Sequence, residues 1–304
     1  MRVLVFGGAG FLGCPLVETL SKTRSNTIQV MDTFTHGFIT KPVKKANILS
    51  PISGSVRDYY AVIRAIERFS PDIVVHLAAF NSRPETMGDF RTCSEVNYVG
   101  TANVMQACLA MRKTIKRVVF ASSLAAENPV SHYGISKRAA EDLLISTFTR
   151  FPPDTMQLVI LRFAEIYGNS LSYTSTSLLN FFVDVMVKKD GVAIYGPKEQ
   201  VDCVHISDAV RACDLAIKTP LDTNVLKVDV GTGQGITIKD LLQKAKEICN
   251  YEGPVRLLDS PLVPVQSLIA DPLPAKQKLG FECSADLDKE LVALIKARRK
   301  ALRE

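Results

Sequence analysis

The stretch "FASSLAAENPVSHYGISK" (120–137) places an adjacent pair of serines, Ser122 and Ser123, a phenol and an amine within eighteen residues. Tyr133 and Lys137 are four positions apart, so on a helix they share one face. A tyrosine with an ordinary pKa near 10 is a poor base at neutral pH, and a neighbouring ammonium favours its phenolate. The same lysine could hold a cofactor ribose. Ser123 ends the strand-like run "RVVFASS" (117–123), where it could hydrogen-bond a substrate hydroxyl or carbonyl and align it for proton transfer. Each pattern is common alone: Tyr-x-x-x-Lys arises by chance on many helices, and serines end many strands. The set becomes a candidate active site only if the chain also brings a cofactor to it.

The N-terminus offers that cofactor site. "VLVFGGAGFLG" (3–13) sets Gly7, Gly10 and Gly13 in G-x-x-G-x-x-G spacing between a strand-like run and an amphipathic stretch that reaches about Thr23. Glycine is needed where backbone turns tightly and approaches a pyrophosphate, and a helix N-terminus adds free N–H groups and a positive dipole end. An acid about 20 residues further on completes a dinucleotide fingerprint. Asp32, at the end of the run "IQVMD" (28–32), is that acid. Its carboxylate accepts from ribose hydroxyls and repels a 2′-phosphate, so it favours NAD over NADP.

These residues need strands and helices to position them. Strand-like runs at 3–7, 28–32, 72–79, 117–123 and 156–163 alternate with helix-like segments, among them 59–69, about 90–111, and one starting near Tyr133. Short continuous runs of Val, Ile and Leu suit strands buried on both faces, and the alternation implies a parallel sheet built from right-handed crossovers. The expected fold class is α/β: a doubly wound parallel sheet (a Rossmann fold) over 1–168, with parts of about 201–232 returning to it. A smaller mixed α/β substrate-binding lobe is expected mainly from 169–304. There the rhythm breaks into helix-like "YTSTSLLNFFVDVMVKK", "SDAVRACDLAIK" and "TIKDLLQKAKEICN", short strands such as "VAIYG", "DCVHI" and "NVLKVDVG", prolines over 254–274, and a last helix near Ala285.

Composition excludes several classes. With 47% apolar and 22% charged residues, the 304-residue chain has a globular balance and can bury a sizeable core. No apolar run reaches the roughly 18–20 residues needed to span a bilayer, and glycines interrupt the first run where a signal peptide needs a longer apolar core. The seven cysteines are far apart and form no C-x-x-C pair, which argues against a disulfide framework or a zinc site and for a reducing, cytoplasmic compartment; no metal is expected. A net charge of +6 is dispersed, and the basic "KARRKALRE" near the C-terminus reads as the solvated end of a helix rather than a nucleic-acid patch.

Taken together, these motifs resemble the extended short-chain dehydrogenases/reductases, the NAD-dependent epimerase/dehydratase family, along nearly the whole chain. "GGAGFLG" resembles the cofactor turn, with Phe11 and Leu12 inside it, and Asp32 the ribose acid. "GSVRD" (54–58) implies that Val56 and Asp58 approach the adenine. "HLAA" (76–79) implies that Leu77, Ala78 and Ala79 line the cofactor. "NYVGT" (97–101) resembles N-x-x-G-T, with Asn97 supporting the central sheet beside the cofactor. "LRFAEIYG" (161–168), which contains Phe163, resembles L-R-x-x-N-x-Y-G, "VHISDAVRA" (204–212) resembles V-H-V-x-D-x-x-x-A, and "KQKLGF" (276–281) a late K-x-x-L-G. The resemblance implies a nucleotide-sugar over the nicotinamide, with Ser123 positioning it, Tyr133 as acid/base and Lys137 tuning Tyr133. It also implies a homodimer built on the helices around 90–111 and 133–149.

Within that family the residues narrow the reaction. Leu124 and Ala125 stand where dehydratases carry an Asp-Glu pair, so elimination of water is disfavoured. Ala125 also stands where the 3,5-epimerase/reductases tend to carry cysteine. Three departures bear on the substrate. Glu165 replaces the usual asparagine, Val201 stands where an arginine often contacts the diphosphate, and "SPLVPVQSLIAD" (260–271) lacks the later arginine. Bidentate phosphate recognition depends on such guanidinium groups, for which Arg83, Lys198 and Lys239 are the candidate replacements. The leading expectation is an NAD-dependent nucleotide-sugar 4-epimerase. A reductase or dehydrogenase of a keto-sugar or smaller hydroxy compound, and a non-catalytic NAD-binding protein, remain open at this point.

Overall fold

A computed structural model describes residues 1–35, 47–81, 89–152, 155–170, 177–258 and 266–302. Seven parallel strands form its main sheet: β1 (Arg2–Phe6), β2 (Thr27–Asp32), β3 (Ile52–Ser53), β4 (Ile73–His76), β5 (Arg117–Ser123), β6 (Gln157–Phe163) and β10 (Val225–Val230). Their order across the sheet is β10-β6-β5-β4-β1-β2-β3. β1 explains why the runs are apolar throughout. Val3 and Val5 face a layer made by α1 (Gly13–Ser21), α7 (Ile206–Lys218) and α9 (Leu273–Leu279). Leu4 and Phe6 face the opposite layer of α2 (Tyr59–Phe69), α4 (Gly100–Ala110) and α5 (His132–Phe148). A strand covered on both faces has no solvent side to mark with polar residues.

The expected strands and helices are present, with additions. The helix read over 90–111 is three joined pieces: α3 (Phe90–Ser94), a π-helical turn over Glu95–Val99, and α4. The segment 200–205 (β9) does not return to the main sheet. It lies in a three-stranded sheet between β7 (Glu165–Tyr167) and β11 (Gly235–Thr237), whereas α7 and β10 do return. Parallel β8 (Val192–Tyr195) and β12 (Val255–Leu258) pair apart from both sheets. A separate core joins α6 (Leu178–Lys188), α8 (Ile238–Cys249) and α10 (Leu287–Ala301) through Phe182, Leu241 and Leu294.

Two buried aspartates tie the later chain together. Asp202 accepts from the Thr232 N–H and hydroxyl and from the Gly233 N–H, at 2.6–2.9 Å. Asp208, in "VHISDAVRA", accepts from the Ser284 and Ala285 N–H groups at 2.9 Å. That motif is thus a latch for the C-terminal segment. No described helix is long and apolar enough to cross a membrane, and no metal-holding cluster occurs among the described residues.

His76 ends β4 inside this core, against the Phe6 and Phe120 rings. Thr101 donates its hydroxyl to the Asn97 carbonyl at 2.6 Å, so the 3.0 Å contact from His76 Nε2 to Thr101 Oγ1 makes Nε2 the donor and leaves Nδ1 bare. Burial, aided by the Lys137 charge, lowers the His76 pKa to about 3. The unfolded chain therefore binds a proton that the folded chain refuses, and stability falls as pH drops from about 6.5 toward 3. Denaturant titrations at pH 7.5 and pH 5 are expected to differ by about 2 kcal/mol from this group, and His76→Asn should flatten that slope.

Candidate active site

The sheet order reverses between β1 and β4, and the loops leaving these strands meet at that switch point, where open α/β sheets bind ligands. Gly7 has φ +79°, and a side chain there would stand 2.5 Å from the Ala78 nitrogen. A side chain on Gly13 would run into the Gly7 carbonyl, so the turn can close onto α1 only without one. Asp32 fixes the turn from β2: one oxygen accepts from the Ala9 N–H and the other from the Phe34 N–H, each at 2.9 Å. A bare backbone cradle at a helix N-terminus with an acid at the end of β2 fits NAD.

The other cofactor candidates divide. Phe11, Leu12, Leu77, Ala78 and Ala79 stand partly or fully exposed around the same crevice. Asp58 caps α2, accepting from the Ala61 N–H at 3.1 Å. Val56 is buried against Gly100, its loop held by Asn103 through the Val56 and Arg57 carbonyls. Asn97 is buried as well. It accepts from the Phe80 N–H at 2.7 Å and donates to the Phe80 carbonyl at 2.9 Å, so it shapes the loop after β4.

Alternation along β5 gives its two serines different tasks. Ser122 turns into the core and donates to Glu141 at 2.5 Å; Ser123 faces the crevice, accepts from the Ala125 N–H at 3.2 Å and lies close enough to Tyr133 to pull its pKa down. The short connection to Tyr133 is a 3₁₀ turn (Leu124–Ala126) followed by α5, which starts on a Ser131 cap. Gly134 lets α5 lie directly on the Ala125 carbonyl. Lys137 reaches beneath Tyr133: its ammonium donates to the Ala121 carbonyl at 2.7 Å, 4.9 Å from the Phe120 ring centre and 5.8 Å from that of Tyr133.

The electrostatics differ from the expectation that the ammonium governs the phenol. Burial dominates and pushes Tyr133 above its ordinary value, with the Ser123 hydroxyl opposing and the Cys93 and Glu165 charges adding. Burial also brings Lys137 down to about 8, against the upward pull of Cys93 and Glu141. With only the protein's own groups around it, Tyr133 is therefore protonated at neutral pH.

Two partners escaped the sequence reading. Cys93 lies under the site, 3.4 Å from the Ser136 hydroxyl and 3.3 Å from the Asn97 amide; its i−4 spacing from Asn97 was the available signal. Glu141, with no exposed surface, is gripped by Arg162 on β6 through two contacts of 2.7 and 2.9 Å. Glu165 opens β7 just beyond Phe163, which pairs with Ser123, and its Oε1 accepts from the Leu178 N–H at 2.5 Å. Arg83 lies outside the described residues.

A parallel doubly wound sheet with this cradle and a Ser–Tyr–Lys set beside it defines a nucleotide-dependent enzyme of the short-chain dehydrogenase/reductase type. The sequence profile of the NAD dependent epimerase/dehydratase family matches residues 3–228, and the chain belongs to that family. It is 25% identical to the UDP-glucose 4-epimerase of Lactobacillus helveticus, over 93% of this chain and 92% of that one. Two solved structures, each 26% identical and covering 99% of this chain and 100% of their own, superpose closely. These are the UDP-glucose 4-epimerase of Thermotoga maritima with UDP-glucose (TM-score 0.87) and that of Thermus thermophilus with NAD (TM-score 0.85).

The Glu141–Arg162 pair provides a test of how the site is held. Arg162→Met leaves a buried carboxylate without its counter-charge, and denaturant unfolding is expected to show a loss of about 3–5 kcal/mol.

Proposed function

We propose that this protein is an NAD-dependent epimerase of a nucleotide-sugar, acting at C4 through a transient keto-sugar. The observation that carries the reading is the placement of Ser123, Tyr133 and Lys137 at the C-terminal edge of β5, beside the crevice that the Gly7 turn opens. The Gly7 turn and Asp32 would hold NAD, which would supply the hydride acceptor and a positive charge that favours the phenolate. Ser123 hydrogen-bonds the carbinol oxygen, and Tyr133 takes its proton as C4 loses hydride and the carbonyl forms. Lys137, held against the Ala121 carbonyl, keeps a positive charge under the phenol. Tyr133 would hand its proton back to the carbonyl oxygen as hydride returned to the other face of the keto-sugar, which would give the epimer. Leu124 and Ala125 lie in the 3₁₀ turn and supply no acid for elimination.

Val201 packs in the lobe rather than presenting a guanidinium, which favours a second reading in which product leaves with a net change in cofactor redox state. Net growth of NADH absorbance on adding substrate separates the two, because an epimerase returns its hydride. Under the epimerase reading, Tyr133→Phe is expected to lower turnover about 10²–10⁴-fold while NAD affinity stays within about threefold. C4 configuration followed by NMR and NAD binding by calorimetry check this.

The chain's second half is read as mainly the substrate lobe, and seven cysteines that form no disulfide fit a reducing, cytoplasmic compartment. The protein is further read as a homodimer. Tyr98 and Val99 on the π turn and Ile135 on α5 are apolar and exposed, along the helices expected to pair. Sedimentation is expected to give twice the 33.4 kDa chain mass.

A further inference from the structure

Glu165 carries a charge that the proposed reaction does not use. It stands two residues past Phe163, the partner of Ser123 in the last step of the β5–β6 register, so the chain leaving the sheet carries it across the catalytic edge. Its charge reaches Tyr133 and contributes to the upward push on the phenol. One oxygen is committed: Oε1 accepts from Leu178, the first residue of α6, where the helix dipole favours an anion. Glu165 therefore fills from within the chain a place that an anionic ligand group would otherwise take. The second oxygen has no hydrogen bond among the described residues, and the side chain keeps partial exposure. No cation pairs with Glu165 among the described residues. Among the described residues, the titratable groups facing it are the Tyr133 phenol from α5 and the Cys203 thiol from β9, both kept neutral by burial, and α6 presents its Leu178 N–H.

We infer that Glu165 sets the charge accepted beside the reacting carbinol: the pocket takes a sugar bearing a hydroxyl or amine there and rejects one bearing a carboxylate. An alcohol or ammonium gives the free oxygen a donor. A carboxylate meets a like charge with no counter-ion among the described residues and competes for the Leu178 N–H. The inference rests on the nucleotide-sugar reading and names the class of sugar within it.

The test is calorimetry on the NAD-loaded protein with a matched pair of ligands, UDP-glucose and UDP-glucuronate, which share every group except the one at C6. Wild-type protein is expected to bind the glucuronate weaker by on the order of tenfold or more. Glu165→Gln keeps an acceptor for Leu178 and should tighten the glucuronate until the two agree within about threefold. Equal affinities in wild type, or an unchanged ratio in the variant, overturn the inference and leave the nucleotide-sugar reading standing. Binding of neither ligand by wild type overturns that reading and the inference with it. Wild-type protein also tests the inference without any substitution. Burial raises the Glu165 pKa above the ordinary carboxyl value, so its charge thins as pH falls. The preference should shrink as pH falls through the Glu165 titration while the sugar carboxylate stays ionised.

Discussion

Glu141 lies on α5 with no surface open to water, and its two oxygens are shared between the Arg162 guanidinium and the Ser122 hydroxyl. Burying such a charge is costly, and the cost is offset only where every lone pair finds a donor in the right geometry. That requirement allows α5 only one seating on the β5–β6 edge. Tyr133 and Lys137 are carried by the same helix, about two turns and one turn before Glu141 respectively, so their height over Ser123 follows from the seating. The packing of Gly134 on the Ala125 carbonyl and the reach of Lys137 to Ala121 are consequences of the same placement.

A second constraint acts at the switch point. The Gly7 turn and the loop after β4 approach so closely that no side chain fits between them, and Asn97 holds the far side of that loop by its Phe80 peptide groups. The nucleotide cradle and the catalytic helix are thus fixed by different interactions. They meet through Ser136, which accepts from Asn97 at 3.0 Å and donates to the Tyr133 carbonyl at 2.8 Å.

The main sheet was legible because doubly covered strands such as "VLVF" and "LVIL" are apolar at successive positions, and α2 was legible to the residue because its apolar positions keep helical spacing over 59–69. β7, β11 and β12 are three or four residues long, too short to show a period, and their pairing is long-range. α9 was hidden among prolines that in fact start it. In the site, residue types and spacing pointed to Ser123, Tyr133, Lys137 and Asp32, since covalent neighbours largely define those motifs. The direction of the Tyr133 shift was not legible, because burial is a property of the packed lobe. The partnership of Glu141 with Arg162, 21 residues away, depends likewise on the sheet register.

The π turn bears on how this protein can change over time. Between Glu95 and Gly100 the helix closes one hydrogen bond five residues apart, so it carries one residue more than an α-helix of the same path. Thr101 ties the Asn97 carbonyl there, and through His76 the turn is stitched to β4. Deleting any one residue of the five would let an ordinary helix form and would rotate everything before it by about 100° relative to everything after. Cys93 and the Asp89 cap would then swing off the site while the helix itself remained well formed. Substitutions can therefore accumulate along this helix, whereas a change in its length by a single residue cannot be absorbed locally.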